Sequence, residues 1–453
     1  MPATPHKNHP AELPEYTTLR AIRFYIPLAI QSVSQSFTYP LVATVVSHGI
    51  CGVAGYGAFA QGLAVFMLIS ALSSGLLSTG MVYSRSLTGF NNHRRLNLLV
   101  MVVIVVTQLL CSIPPLDNII FGHLLGLEGE MWRIARDTLL YCIPVHIMFL
   151  LRSPYQIIFY NARASAVANA ATLGRIGATL VIAFLFVKLG FVGHYAGIVA
   201  FSLPVVGEWY ASRRLSRPYI QNLADGEPDT APVREQLLFC IPLSFGGILL
   251  SLSAFMVAAF IARAADPIHM MPIHYVAFGL INPLAFAAIR MQAVVLAFPP
   301  IDRSGSRTFR FSLGVGATLA AIALLGQIPS VANVYFGKIQ NLSPADILLA
   351  QRVMLIASII PVFQALRGHA EGLAAWRKRP NAILAGQATY LATLVTTLFF
   401  SLNAGVPGYM MGAYAIIAAI IATFVTIRIG VAWSDFEDRT PQFTPHRTED
   451  TRL

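Results

Sequence analysis

Arg290, Arg367 and Glu371 are ionisable side chains in apolar surroundings. Arg290 sits in "FAAIRMQAVVLAF", and the other two sit in "QALRGHAEGLAAWRKRP", with His369 between them. A guanidinium presents a planar fork of donors that fits a carboxylate or a phosphate, so deep arginines point to an anionic ligand. Glu371 lies one helical turn from Arg367, which leaves two readings open: an internal ion pair, or a gate that holds the arginine while the site is empty. Arg152 and Gln156 repeat the spacing of Arg367 and Glu371 earlier in the chain, with His146 a turn or two before them. Gln35, Gln61, Asn282 and Gln292 add amides to the same apolar stretches. The candidate substrate-binding residues are therefore Arg290, Arg367, His369, Arg152, Gln35, Gln61, Asn282 and Gln292, and the candidate coupling or gating residues are Glu371 and His146. Arg175 and Glu208 read instead as helix-end residues, Arg175 snorkelling or pairing at an interface and Glu208 pairing with Arg213 and Arg214.

These side chains need helices in a membrane to hold them. Of 453 residues 56% are hydrophobic and 11% charged, against roughly 25% charged in soluble domains. Apolar runs of about twenty residues, the length that crosses roughly 30 Å of hydrocarbon, recur near 20 to 46, 54 to 84, 97 to 114, 132 to 160, 167 to 189 and 194 to 213. A second set follows near 236 to 264, 273 to 300, 311 to 330, 347 to 375, 381 to 402 and 408 to 433. The expectation is an all-α polytopic membrane protein of about twelve transmembrane helices. Loops rich in Lys and Arg, such as "RSLTGFNNHRR", "RRLSR" and "WRKRP", alternate with loops poor in them. By the positive-inside rule the first set and both termini are cytoplasmic, in the plasma or inner membrane. The net charge of +11 is then explained in part without a nucleic-acid partner. Cys51, Cys111, Cys142 and Cys240 have no metal-ligand spacing and read as small buried hydrophobes, so neither a metal nor a disulfide is expected. No cofactor is implied, and the absence of a Gly-rich phosphate loop argues against ATP hydrolysis.

The chain also repeats itself. "FYIPL" at Phe24 recurs as "FCIPL" at Phe239, and Gly190, Gly193 and Gly197 match Gly405, Gly408 and Gly412, all 215 residues apart. Arg152 and Arg367 stand at the same offset, and "RS" at Arg85 meets "RS" at Arg303 with a small shift. Two parallel, pseudo-symmetric six-helix bundles follow, related by an axis along the membrane normal. The expected division is an N-terminal tail 1–19, a first half 20–215, a cytoplasmic linker 216–235, a second half 236–433 and a C-terminal tail 434–453. Both tails are expected to be cytoplasmic, the last being mixed in charge and disordered.

No Asp or Glu occurs from Tyr16 through Leu116, and between Glu235 and Asp302 the only acid is Asp266. A cation transporter ordinarily needs an intramembrane carboxylate, so an anionic substrate is the direct reading. The motifs "IRFYIPLAI" at Ile22, "GYGAFA" at Gly55, "AAIRMQAV" at Ala287 and "PVFQALRGHAEG" at Pro361 resemble the superfamily that joins multidrug and toxin extrusion (MATE) transporters with polysaccharide and lipid flippases (the MOP superfamily). Within it the resemblance is closest to the progressive ankylosis (Ank) family. That resemblance implies export of a small anion such as citrate, ATP or pyrophosphate through a cleft between the halves, with Arg290, Arg367 and His369 near it. The partners implied are the anionic substrate, a coupling proton or sodium ion, and membrane lipid. A MATE-type exporter of drugs or cations and a flippase of lipid-linked oligosaccharides are the alternatives. An intramembrane enzyme built on a histidine is disfavoured, because neither His146 nor His369 has an acid at one-turn spacing to orient it.

Overall fold

The computed structural model describes residues 16–36, 38–224, 231–299, 305–340 and 342–437. Residues 1–15 and 438–453 of the expected tails, part of the expected linker, and the Arg303 of the repeat lie outside the described residues. Among the described residues there are helices and no strands. The first half holds α1 (Thr18–Gln35), α2 (Thr38–Ser47), α3 (Gly52–Ser70), α4 (Ser74–Tyr83) and α5 (Leu87–Cys111). It continues through α6 (Gly129–Tyr141), α7 (Ile143–Asn161), α8 (Ser165–Leu189) and α9 (His194–Gln221). The second half holds α10 (Val233–Ile261), α11 (Pro267–Ile289), α12 (Met291–Ala297), α13 (Ser306–Leu324) and α14 (Pro329–Ala332). It ends with α15 (Pro344–Ala357), α16 (Ile360–Trp376), α17 (Pro380–Asn403) and α18 (Gly408–Glu437).

Ten helical stretches are long and apolar enough to cross a membrane. The two other expected spans correspond to α1 with α2 and to α9, which are richer in polar side chains: α1 carries Arg20, Arg23 and four Ser or Gln residues from Gln31 to Gln35, and α9 carries Glu208 and three arginines. α9 also runs on to Gln221, past the start expected for the linker.

Four of the ten spans are two helices set end to end: α3 with α4, α6 with α7, α11 with α12, and α15 with α16. The causes of the breaks are local. After α3, the hydroxyls of Ser70, Ser73 and Ser74 turn back to the carbonyls of Phe66, Ser70 and Ala71 at 3.0, 2.7 and 2.7 Å, a bonding pattern that bends helices. Pro144 and Pro361 open α7 and α16, where the missing N–H costs least. The break between α11 and α12 falls at Arg290, which ends one helix and starts the next.

A further repeat emerges in three dimensions. The segments Asn118–Leu124 and Asn333–Ile339 are both wide π-helical turns, and both follow the pattern Asn-x-x-Phe-Gly. Their offset is the same 215 residues, and Phe121 and Phe336 are each fully buried.

One apolar cluster belongs to the second half, around Phe278, Phe336 and Met411. Another lies in the first half around Phe59, Phe66 and Ile134, with Cys240 added from α10. A third straddles the two and joins Phe24, Phe159, Ala288, Phe298, Leu373 and Val431, so it holds the start of α1 and the end of α18 at one face of the bundle. The halves are bridged through α1, α3, α4, α5 and α7 on one side and α10, α11, α12 and α16 on the other, whereas α2, α6, α8 and α9 have no substantial contact with the second half. The two bundles are thus closed at the face that holds the termini and parted toward the opposite face.

Candidate functional site

Between the parted bundles lies a cavity of about 620 Å³. Its walls are apolar and aromatic, with Tyr39, Phe59, Met67, Phe149 and Phe201 from the first half and Phe286 and Ile289 from α11. Its polar lining is Ser32, Gln35, Ser36 and Thr38 near the end of α1, together with Arg152 from α7, Arg175 from α8 and Arg290 at the α11–α12 break. Among the described residues no Asp or Glu lines it.

The charge is balanced from behind. Glu208 of α9 is 2% exposed, and its carboxylate lies 2.6 Å from the Arg152 guanidinium and 3.0 Å from that of Arg175. The Thr172 hydroxyl donates to the same carboxylate at 2.6 Å, the Gln31 amide donates to Thr172 at 2.8 Å, and the Tyr160 hydroxyl donates to Gln31 at 2.9 Å. Buried charge is tolerated only when paired and hydrogen-bonded in this way. Two guanidiniums share one carboxylate, which leaves a net positive charge beside the cavity. Arg290 adds another, donating to the Ser32 hydroxyl at 2.7 Å across the boundary between the halves.

This arrangement corrects two expectations. Arg175 is 4% exposed and does not snorkel. Glu208 pairs across helices with Arg152 and Arg175 rather than with Arg213 and Arg214 on its own helix. The physical reason is depth: with two arginines facing it from neighbouring helices, a carboxylate reaches a better-desolvated partner across the bundle than along its own surface.

The second half carries a related network outside the cavity. The Arg367 Nε donates to Glu371 at 2.8 Å and its guanidinium to Gln387 at 3.1 Å, while the Gln387 amide donates to Glu371 at 2.7 Å. Arg367 also stacks 5.4 Å from the Tyr390 ring. At the repeat offset, Arg152 corresponds to Arg367, Gln156 to Glu371, Thr172 to Gln387, Arg175 to Tyr390 and Glu208 to Thr423. The same place in each bundle thus holds one acid, paired with two arginines in the first half and one in the second, and the acid comes from α9 in the first half and from α16 in the second.

The other expected residues disperse. Gln35 lines the main cavity, and Asn282 lines a second cavity of about 440 Å³ in the second half, which shares Phe286 with the first. The Gln292 amide donates to Ser78 across the halves at 2.9 Å. Gln61 is exposed and outside both linings. His146 is buried against Phe66, bonded to Ser70 and, at 2.6 Å, to Gln108. His369 is fully buried beside Thr308 at 3.0 Å, near the terminal face and away from the cavity. Sequence reading missed Arg175 as a cavity residue and Glu208 as the buried acid that pairs with it from behind. The signal was the offset of 215, which carries Arg175 onto Tyr390, the ring beside Arg367.

A scan against protein-family models and a search of curated proteins find no match to this chain. Solved structures do match over nearly its whole length. An outward-facing multidrug resistance MATE transporter of the MOP superfamily is similar with a TM-score of 0.72 at 16% identity, covering 93% of this chain and 95% of that one. A MOP superfamily transporter from Pyrococcus furiosus, described as having a binding pocket of reverse polarity that suggests a different function, is similar with a TM-score of 0.66 at 17% identity and 93% and 95% coverage. A eukaryotic MATE transporter, AtDTX14, gives 0.70 at 14% identity and 92% and 96% coverage. These neighbours support the MATE side of the resemblance and lend no support to its progressive ankylosis side. At such identities the likeness is one of architecture: the chain has the fold of MATE transporters.

Proposed function

We propose that this protein is an alternating-access secondary transporter of the MATE type, multi-pass in the plasma or inner membrane with both termini cytoplasmic. The fold supports the class, and the parted bundles agree with an outward-facing state. The two halves rock about their shared contact at the terminal face, and cargo occupies the cavity walled by α1, α3, α7 and α11.

The observation that carries the cargo reading is the polarity of that cavity: arginines at Arg152, Arg175 and Arg290, with no carboxylate of the described residues facing in. A cation placed there meets like charge in a low-dielectric site, whereas an anion gains forked hydrogen bonds. The cargo we infer is a small organic or phosphate-bearing anion, the class of citrate, ATP and pyrophosphate. The aromatic walls favour a member with a flat organic part over bare pyrophosphate.

Export of drugs or other cations is the second reading, and the multidrug MATE neighbours favour it. In that case Glu208, released from its arginines, takes the coupling proton. Uptake of labelled citrate, ATP, pyrophosphate and a lipophilic cation into proteoliposomes separates the readings. On the anion reading, Arg290→Gln and Arg152→Gln each lower anion uptake at least tenfold. Cation uptake that survives both substitutions and is lost in Glu208→Gln establishes the second reading instead.

A further inference from the structure

We infer that a groove between the start of α1 and the first half of α13 binds one anionic phospholipid from the leaflet on the terminal face. The groove has a volume of about 830 Å³ and shares no lining residue with either cavity described above. It opens to the side of the bundle, between a helix of the first half and a helix of the second.

Its two ends differ in chemistry. Arg307 and Arg310 stand at the mouth, both exposed, and neither is paired with an acid among the described residues. Thr17 and Thr18 at the start of α1 line the groove with them. Farther along, the walls are Ile22, Ile26, Phe311, Val315 and Leu319. A side chain at Gly314 would project into open space, since a Cβ built there meets no atom within 4 Å.

The length identifies the occupant. From Arg307 to Leu319 the trough runs about 18 Å along α13, close to the roughly 15 Å of hydrocarbon in one leaflet. A soluble phosphate would use the mouth and leave the apolar trough in contact with nothing it needs. A neutral acyl chain would use the trough and leave two arginines idle. A phosphate with an attached acyl chain satisfies both, and guanidinium forks match phosphate oxygens. Because α1 and α13 belong to different halves, the bound lipid spans the boundary that must move when the bundles rock.

Native mass spectrometry of the full-length protein, exchanged in detergent against equal phosphatidylglycerol and phosphatidylcholine of one chain length, tests the site. The wild type is expected to retain one phosphatidylglycerol with about a thirtyfold preference, the scale set by two arginines near an anionic headgroup. The Arg307→Gln/Arg310→Gln double variant should lose that preference. Gly314→Leu, which fills the trough and leaves the charge alone, should lose the retained lipid whatever its headgroup. All three positions are exposed, and an unchanged thermal midpoint confirms that the variants are folded. Equal retention of both lipids by the wild type, or an unchanged preference in the double variant, would mean annular lipid only and would overturn the proposal. Displacement of the lipid by inorganic phosphate alone would also overturn it, in favour of a soluble anion.

Discussion

Replacing Glu208 with Gln leaves the guanidiniums of Arg152 and Arg175 facing one another in a desolvated pocket with no carboxylate between them. Breaking a buried charge network from one side costs about 3–5 kcal/mol, so the Glu208→Gln protein should melt well below the wild type in detergent. Glu371→Gln should cost less, because it strands a single guanidinium that keeps Gln387 and the Tyr390 ring. The internal repeat suggests a rescue. Gln156 occupies the position that bears the acid in the second half, and its amide already lies 3.5 Å from the Glu208 carboxylate. Adding Gln156→Glu to Glu208→Gln should therefore recover most of the lost melting temperature, and a midpoint that stays low would disprove the equivalence of the two positions. The Arg367–Glu371 pair was legible because one helical turn separates its members. The partners of Glu208 were not, because they sit on α7 and α8 and only the packing of three helices brings them together.

At the scale of elements, the eighth span owes its shape to the helix behind it. Gly368 and Gly372 of α16 lie against the α11–α12 break: a Cβ at Gly368 would fall 2.7 Å from the Ile289 carbonyl, and one at Gly372 would fall 2.9 Å from that of Gln292. Small residues one turn apart allow two helices in a membrane to approach this closely. Gly372→Val should push α12 outward at about 1–3 kcal/mol, the usual cost of overpacking. It should also weaken anion uptake by moving Arg290, although the side chain itself is far from the cavity, and unaltered uptake would rule this coupling out. Prolines mark such breaks unevenly, since Pro144 and Pro361 open α7 and α16 whereas Pro27 and Pro242 lie inside continuous helices. The break at Arg290 had no such mark, since the nearest proline before it, Pro283, lies about two turns earlier. The paired π-helical turns escaped notice because their shared Asn-x-x-Phe-Gly is short and sits in loops whose remaining residues differ.

For the whole molecule, the closed face is latched by arginines of the first half on the end of α12. The Arg85 guanidinium donates to the Leu296 carbonyl and Arg163 to that of Ala297, each at 3.0 Å, while the two cations rest over Trp376 and Phe298. Carbonyls at a helix C-terminus lack partners within the helix and attract cations. Burial, with Arg163 close by, holds the Arg85 guanidinium below its ordinary pKa, so the latch keeps two cations together against their repulsion. Charged hydrogen bonds of this kind contribute on the order of 1–3 kcal/mol each. Arg85→Gln with Arg163→Gln should therefore shift the population at least tenfold toward the state closed at the far face. Spin labels at Ile50 and Ile339, exposed at that face on opposite halves, should then report a shorter distance, and an unmoved distribution would show that the latch does not set the resting state. Gln387 and Tyr390, which complete the network of the second half, come from a neighbouring helix, whereas the membrane class and the Arg367–Glu371 pair could be read from composition and local spacing. The relation between the bundles could not, because it depends on contacts between residues some two hundred positions apart.

The unbalanced arginines of the cavity also have an electrical meaning. Arg152, Arg175 and Arg290 against Glu208 leave two positive charges fixed near the middle of the bundle. On the transport cycle proposed above, rocking of the bundles would redistribute the membrane field from one side of those charges to the other, and a potential of 100 mV would act on each elementary charge with up to about 2.3 kcal/mol. A bound dianion would cancel them, so voltage would do its work on the empty protein as it resets and leave the loaded crossing nearly untouched.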